Sequence, residues 1–258
     1  MKLFFRQTGE TGPALVILHG IFGSADNWLT VAKMLSTQFR VFTLDQRNHG
    51  RSPHHDDFDF EVMAADLKEF IDDQNLEAPI ILGHSMGGKT AMQFAMNYPD
   101  AWSKLVVVDI APKFYPIHHA PILAGLNAID LRTLSGRQQA EELLSRYEAN
   151  PGVRQFLLKN LYRDATTGHF GWRLNLPVLT RDIHLVGSEL TYLRPTPKPV
   201  LFLRGAESTY ILPEDERDIL RIFPSALIRT IAGAGHWVQA DQPVAFVEAV
   251  TEFVQRIA

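Results

Sequence analysis

At 258 residues, with 46% hydrophobic and 21% charged side chains, the chain has the balance of a folded globular protein and can bury one sizeable core. A net charge of −4 without a long basic run leaves no electrostatic footprint for nucleic acid. There is no cysteine, which excludes disulfides, a thiol nucleophile and thiolate-held metals.

The opening Met1-Lys2-Leu3-Phe4-Phe5-Arg6 is interrupted by charge too soon for a secretory leader. Nowhere do roughly 18 apolar residues run together, so no membrane span is expected. A soluble cytoplasmic protein is the expectation. Strands are expected over Leu3–Gln7, Ala14–Leu18 and Arg40–Leu44, with a helix near Trp28 between the last two. Met63, Leu67, Phe70 and Ile71 then recur at helical spacing as one buried face. A strand over Pro79–Leu82, a helix from Lys89 to Tyr98 and a strand over Leu105–Asp109 follow. From Pro112 to about Pro199 no strand is expected, only helical stretches at Arg137–Tyr147, Val153–Leu161 and Asp182–Leu190. Strands resume at Val200–Arg204 and Ala226–Ile231, and Asp241 with Pro243 starts a last helix carrying Val244, Val247 and Val250. Strands alternating with helices imply an α/β protein with a mostly parallel sheet flanked by helices. Residues 1–111 and 199–258 form its core domain, and 112–198 a helical lid inserted between two strands.

Residues 83–90, Gly-His-Ser-Met-Gly-Gly-Lys-Thr, fit two catalytic motifs at once. Gly83 to Gly87 is G-x-S-x-G, the turn that presents a nucleophilic serine. Gly83 to Thr90 is also G-x-x-x-x-G-K-T, a phosphate cradle, and Asp109 ending an apolar strand would be its Walker-B partner. At average residue usage the serine motif arises by chance in roughly one chain in ten and the phosphate motif in about one in a hundred. Context reverses that order. His19-Gly20 after a strand opens a turn suited to an oxyanion donor, for which a nucleotide cradle has no use. His236 follows the last strand in the small-residue loop Ala232-Gly233-Ala234-Gly235, and serine, acid, histidine is the chain order of hydrolases.

These segments, with Asp45-Gln46-Arg47-Asn48-His49-Gly50-Arg51-Ser52-Pro53, Val108-Asp109-Ile110-Ala111-Pro112 and Gly171-Trp172-Arg173, resemble the α/β hydrolases. Among these, the small bacterial YbfF-type esterases and their animal relatives are the nearest in motif, over nearly the whole chain. The resemblance implies an α/β-hydrolase fold and hydrolysis of carboxylic esters, extending to acyl-CoA thioesters, through an acyl-enzyme.

Ser85 is the expected nucleophile and His236 its base, because a neutral serine needs a base within hydrogen-bond reach. Where most α/β hydrolases carry G-x-x-D after the strand at Val200–Arg204, this chain has Gly205-Ala206-Glu207-Ser208. A serine supplies no negative charge to an imidazolium, so Asp109, at a strand end and matching the YbfF-type acid, is the expected third member, with Glu207 the alternative. Ser208 is expected beside His236. The oxyanion donors are the N–H groups of Met86 and of Ile21, with Phe22 the neighbouring candidate. Phe22, Trp172 and Arg173 are candidates for the substrate pocket.

Asp45, Arg47 and His49 read as loop scaffolding, and Lys89, one turn into a helix, as paired with a carboxylate. His54-His55-Asp56-Asp57 are adjacent residues that do not converge on an ion, so neither metal nor organic cofactor is expected. The partner is a small-molecule ester or thioester; the oligomeric state is open. Rival readings are carbon–carbon bond hydrolysis, perhydrolase or menaquinone-pathway lyase chemistry on the same fold, a non-catalytic hydrolase-fold receptor, and a P-loop NTPase.

Overall fold

The computed structural model describes residues 1–190 and 195–256. A seven-stranded sheet forms its centre, in the order β1-β3-β2-β4-β5-β8-β9. Its strands are β1 (Phe5–Thr8), β2 (Ala14–Leu18), β3 (Arg40–Leu44), β4 (Ile80–His84), β5 (Leu105–Val108), β8 (Val200–Gly205) and β9 (Ala226–Ile231). Only β1 runs antiparallel, against β3; the other pairs are parallel. The central strands β2, β4 and β5 are buried along their whole length, so they read as unbroken apolar runs instead of alternating ones.

Helices cover both faces. α2 (Phe60–Asp73), α3 (Met86–Asn97) and α8 (Glu216–Ile222) share one core with Val16, Phe42, Ile81 and Val107. On the other face Val31 and Leu35 of α1 (Leu29–Leu35) and Phe246 and Val250 of α10 (Pro243–Gln255) pack on Leu15, Leu82 and Leu201. The chain leaves β2 toward β3 on one side and β4 toward β5 on the other. This makes the gap above β2 and β4 a topological switch point, where open α/β sheets place a ligand crevice.

Between β5 and β8 lie α4 (Ala120–Asn127), α5 (Arg137–Leu144), α6 (Pro151–Leu158) and α7 (Leu176–Gly187). The expectation of no strand here is corrected: β6 (Leu161–Arg163) and β7 (Phe170–Trp172) pair antiparallel as a hairpin. Three residues per strand are too few to show alternation, and only the Tyr, Phe and Trp they carry hint at β structure. α7 starts at Leu176, earlier than its apolar spacing suggested, because Pro177 fits the first turn of a helix. Asp241 does not start α10. It closes the short α9 (Val238–Asp241), and its carboxylate accepts the Gly235 N–H at 2.9 Å, so Gln242 precedes the helix instead. Among the described residues no helix is long and apolar enough to cross a membrane.

Candidate active site

Ser85 joins β4 to α3 with φ 53° and ψ −118°, a backbone conformation that costs an L-residue about 1–3 kcal/mol and persists only where neighbours enforce it. They do. The Ser85 N–H donates to Val108 O on β5 at 3.0 Å, and its carbonyl accepts from Gly88 and Lys89 at 2.8 and 3.1 Å. The turn is so tight that a Cβ on Gly83 would lie 2.1 Å from Gly87 O, and one on Gly87 would lie 2.5 Å from Leu18 O. Both positions therefore require glycine for close approach.

Asp109 ends β5, fully buried and also at positive φ (51°). Three donors converge on its carboxylate. Gly205 N–H reaches Oδ1 at 3.1 Å, while the Ser208 hydroxyl and His236 Nδ1, the latter at 2.8 Å, both reach Oδ2. Since a carboxylate only accepts, Nδ1 carries the ring proton and Nε2 is left with a free lone pair. Ser208 thus bonds to Asp109 and not to His236, on the oxygen the two share. Glu207 is exposed, and its N–H goes to Ala234 O at 2.9 Å.

His236 is brought to the serine turn by His84, whose Nε2 donates to His236 O at 2.8 Å with the two rings 4.7 Å apart. Burial and the neighbouring His236 push the His84 imidazole well below its ordinary pKa, so it stays neutral. Among the described residues the Ser85 hydroxyl makes no hydrogen bond to His236; such contacts commonly tighten only once substrate is bound. Tyr210 stacks on the His236 ring at 3.8 Å. Neither His84 nor Tyr210 stood out in the sequence, although Tyr210 follows Ser208 closely on the same loop.

The loop after β2 faces the serine turn. Phe22, buried and at φ 60°, donates its N–H to His49 Nε2 at 3.2 Å, so that donor is committed. Ile21 N–H has no partner among the described residues, and Met86 N–H opens α3, where first-turn donors have no helical acceptor. A scaffold of neutral histidines fixes this loop. His19 donates from Nδ1 to Gly20 O and accepts Gln46 N–H at Nε2, at 2.8 and 2.9 Å. His49 donates to Arg47 O at 2.8 Å. Burial lowers their pKa values, His19 to about 4 and His49 to about 3. Asp45 accepts the N–H groups of Ala25 and Arg51 at 2.6 and 2.7 Å, and Arg47 grips Asp66 with two bonds.

The expected Lys89–carboxylate pair is corrected. Lys89 is fully buried, and its Nζ donates to three main-chain carbonyls, Lys113 at 3.0, Gly187 at 3.3 and Ser188 at 2.5 Å. Burial pushes its pKa down to about 7 against the opposing pull of Glu189. Arg173 lies over the Tyr162 ring at 4.8 Å, and Trp172 packs half-buried against the core. A narrow cleft beside Met86 is lined by Phe58, Asp59, Phe60, Met63, Leu185 and Val186, apolar but for Asp59. Another surface hollow, between β8, β9 and α10, opens at the N-terminal halves of the strands and away from Ser85. Among the described residues no three His, Asp or Glu side chains gather as an ion site.

A sequence profile described as alpha/beta hydrolase fold matches residues 13–132. The chain is 41% identical over 252 residues to sn-1-specific diacylglycerol lipase ABHD11 of Mus musculus, covering 95% of this chain and 81% of that protein. It is 36% identical to Esterase YbfF of Escherichia coli (strain K12), covering 98% and 99%. A solved structure titled "Marine microorganism esterase" superposes with TM-score 0.95 at 47% identity, covering 98% of this chain and 99% of that one.

Proposed function

The chain belongs to the α/β-hydrolase family, and from that premise we propose that it hydrolyses carboxylic esters through Ser85, His236 and Asp109 by way of an acyl-enzyme. The observation that carries the reading is the buried Asp109 carboxylate on His236 Nδ1 at 2.8 Å, beside a serine held at φ 53°. A strained serine turn has no structural use of its own, and a free Nε2 is what a general base requires. Ser85 Oγ attacks the ester carbonyl while His236 Nε2 takes its proton. The carbonyl oxygen becomes an oxyanion held by the Ile21 and Met86 N–H groups. Collapse expels the alkoxide, which leaves with the proton from His236. Water, deprotonated by the same nitrogen, then attacks the acyl-enzyme and returns Ser85.

The cleft of Phe58, Phe60, Met63, Leu185 and Val186 beside Met86 offers an apolar wall for the acyl chain. In this reading residues 112–198 act as a lid, with Leu185 and Val186 its contribution to that wall. Acyl-CoA thioesters are the extension of the same chemistry, since a thiolate leaves from the same intermediate.

The test is hydrolysis of p-nitrophenyl esters of graded acyl length, with acyl-CoA thioesters alongside, by wild type and Ser85→Ala. Turnover and fluorophosphonate labelling are both expected to vanish in the variant. Undiminished turnover in Ser85→Ala, or a wild type that neither turns over nor is labelled, would overturn the proposal.

A further inference from the structure

Tyr210 lies on the loop after β8 and has no part in the steps above. Its ring stacks on the imidazole of His236 with centroids 3.8 Å apart and planes 15° from parallel. The tyrosine is itself pinned at three polar points. Its N–H donates to Ser208 Oγ at 3.2 Å, its carbonyl accepts from the Tyr115 hydroxyl at 2.6 Å, and its own hydroxyl meets His118 Nε2 at 3.0 Å. Tyr115 also packs on its ring at 5.4 Å and is anchored in turn by the Ala111 N–H at 2.9 Å. Main-chain bonds on both sides fix the backbone of this half-buried residue, while the His118 contact and the Tyr115 stack hold its ring flat against His236.

We propose that Tyr210 is a positioning residue for His236: its aromatic face fixes the imidazole plane and stabilises the imidazolium formed as Ser85 loses its proton. This rests on the reading of His236 as the base. The charged and titratable groups around that ring are few. Asp109 meets its Nδ1 edge and itself takes the Ser208 hydroxyl, His84 lies beside it from β4, and His119, on the segment after β5, is within electrostatic reach. Burial lowers His84, and pushes His119 down to about 4, so neither adds charge at neutral pH. Asp109 is then the anion on the edge, and the negative face of Tyr210 is what covers the plane. That attraction appears only when the ring becomes charged, so it lowers the barrier without strengthening substrate binding.

The experiment compares kcat and KM for a p-nitrophenyl ester, and the rate of fluorophosphonate labelling, in Tyr210→Phe, Tyr210→Trp and Tyr210→Leu. Loss of a partly desolvated cation–π contact corresponds to about ten-fold in rate. Tyr210→Leu is expected to lose about that in kcat and labelling with KM nearly unchanged, while Phe and Trp, which keep the face, stay within about three-fold. Thermal melting of each variant identifies simple unfolding, and Tyr210→Met supplies a non-aromatic side chain of similar bulk should Leu not fold. A Leu or Met variant that folds and keeps full kcat overturns the proposal. So does a Phe variant that loses as much as Leu, which would give the role to the hydroxyl and His118. If wild type hydrolyses no ester, the base reading itself falls; an active wild type with an indifferent Leu variant removes Tyr210 alone.

Discussion

Replacing Asp109 by asparagine tests the acid with almost no change of shape, and the local hydrogen bonds dictate how the amide must sit. Gly205 N–H points at Oδ1 at 3.1 Å and is a donor only, so the amide oxygen has to stay on that side. The NH₂ group then falls on the Oδ2 side, where Ser208 Oγ and His236 Nδ1 now stand. The serine hydroxyl can turn round and accept. The imidazole can accept there only by moving its proton to Nε2, the atom that must receive the proton of Ser85. Loss of the carboxylate charge and imposition of the wrong tautomer together correspond to about 10⁴ in kcat. The assay is kcat/KM on a p-nitrophenyl ester for Asp109→Asn and for Glu207→Gln, each checked by thermal melting. Glu207 is exposed and its variant should match wild type. Activity of Asp109→Asn within ten-fold of wild type would refute the tautomer argument, and a deep loss in Glu207→Gln would transfer the acid to that residue.

Ser208→Ala removes one of the two donors on Asp109 Oδ2 and should lower kcat by about ten-fold, far less than Asp109→Asn, because the charge remains. Equal losses would mean that Ser208 is as indispensable as the acid. Gly87→Ala drives a Cβ to 2.5 Å from Leu18 O, so it should cost about 1–3 kcal/mol and lower Tm by several degrees; a melting point equal to wild type would contradict the close approach. Val186→Phe narrows the cleft beside Met86 and should depress hydrolysis of long acyl esters by about ten-fold while sparing acetyl esters, and a uniform change would place the acyl chain elsewhere. His19 and His49 titrate in the fold at about 4 and about 3, below their ordinary value, so the unfolded chain binds the extra protons. Their contribution to stability is complete above about pH 6.5 and is lost as pH falls toward those values, roughly 2 kcal/mol from each by pH 5. Melting scans from pH 8 to 5 should therefore show Tm holding to about 6.5 and then dropping by on the order of 10 °C. A flat profile would mean that these imidazoles are not held neutral.

How much of this was legible in the sequence depended on how local the cause was. The parallel strands were, because burial on both faces writes unbroken runs such as Ala14–Leu18 and Leu105–Val108. Ser85, Gly83 and Gly87 were, because the turn imposes its residues within five positions. Asp109 was legible as a candidate acid from Ser208 standing where a carboxylate usually does, from its place at a strand end and from the YbfF-type match; the structure adds that Ser208 donates to Asp109, across 99 residues of chain. Tyr210 was not legible at all. Its meaning lies in a stack against a ring 26 positions later, made by loops that follow different strands, and no periodicity encodes such a meeting. The hairpin β6–β7 escaped for a different reason, being held by three paired residues per strand.

The octapeptide at 83–90 leaves one ambiguity that only three dimensions resolve, and Lys89 resolves it. A phosphate cradle needs its lysine at the mouth of the loop, its donors free for the β- and γ-phosphates, and its Thr hydroxyl free for magnesium. Here the lysine side chain is fully buried and its three ammonium donors meet three carbonyls, one on Lys113 and two on Gly187 and Ser188. Thr90 is turned inward, its hydroxyl donating to Met86 O at 3.1 Å. The same lysine therefore ties the helix that follows Ser85 to the chain just after β5 and to the end of α7, and its three donors are filled with no phosphate required. Asp109, the would-be magnesium partner, is likewise committed, with His236 and Ser208 on one oxygen and Gly205 on the other. Each group that a nucleotide would need is committed to holding the serine turn, the histidine loop or the chain around Lys113 and Ser188 in place, and that commitment is what makes the hydrolase reading of the eight residues the self-consistent one.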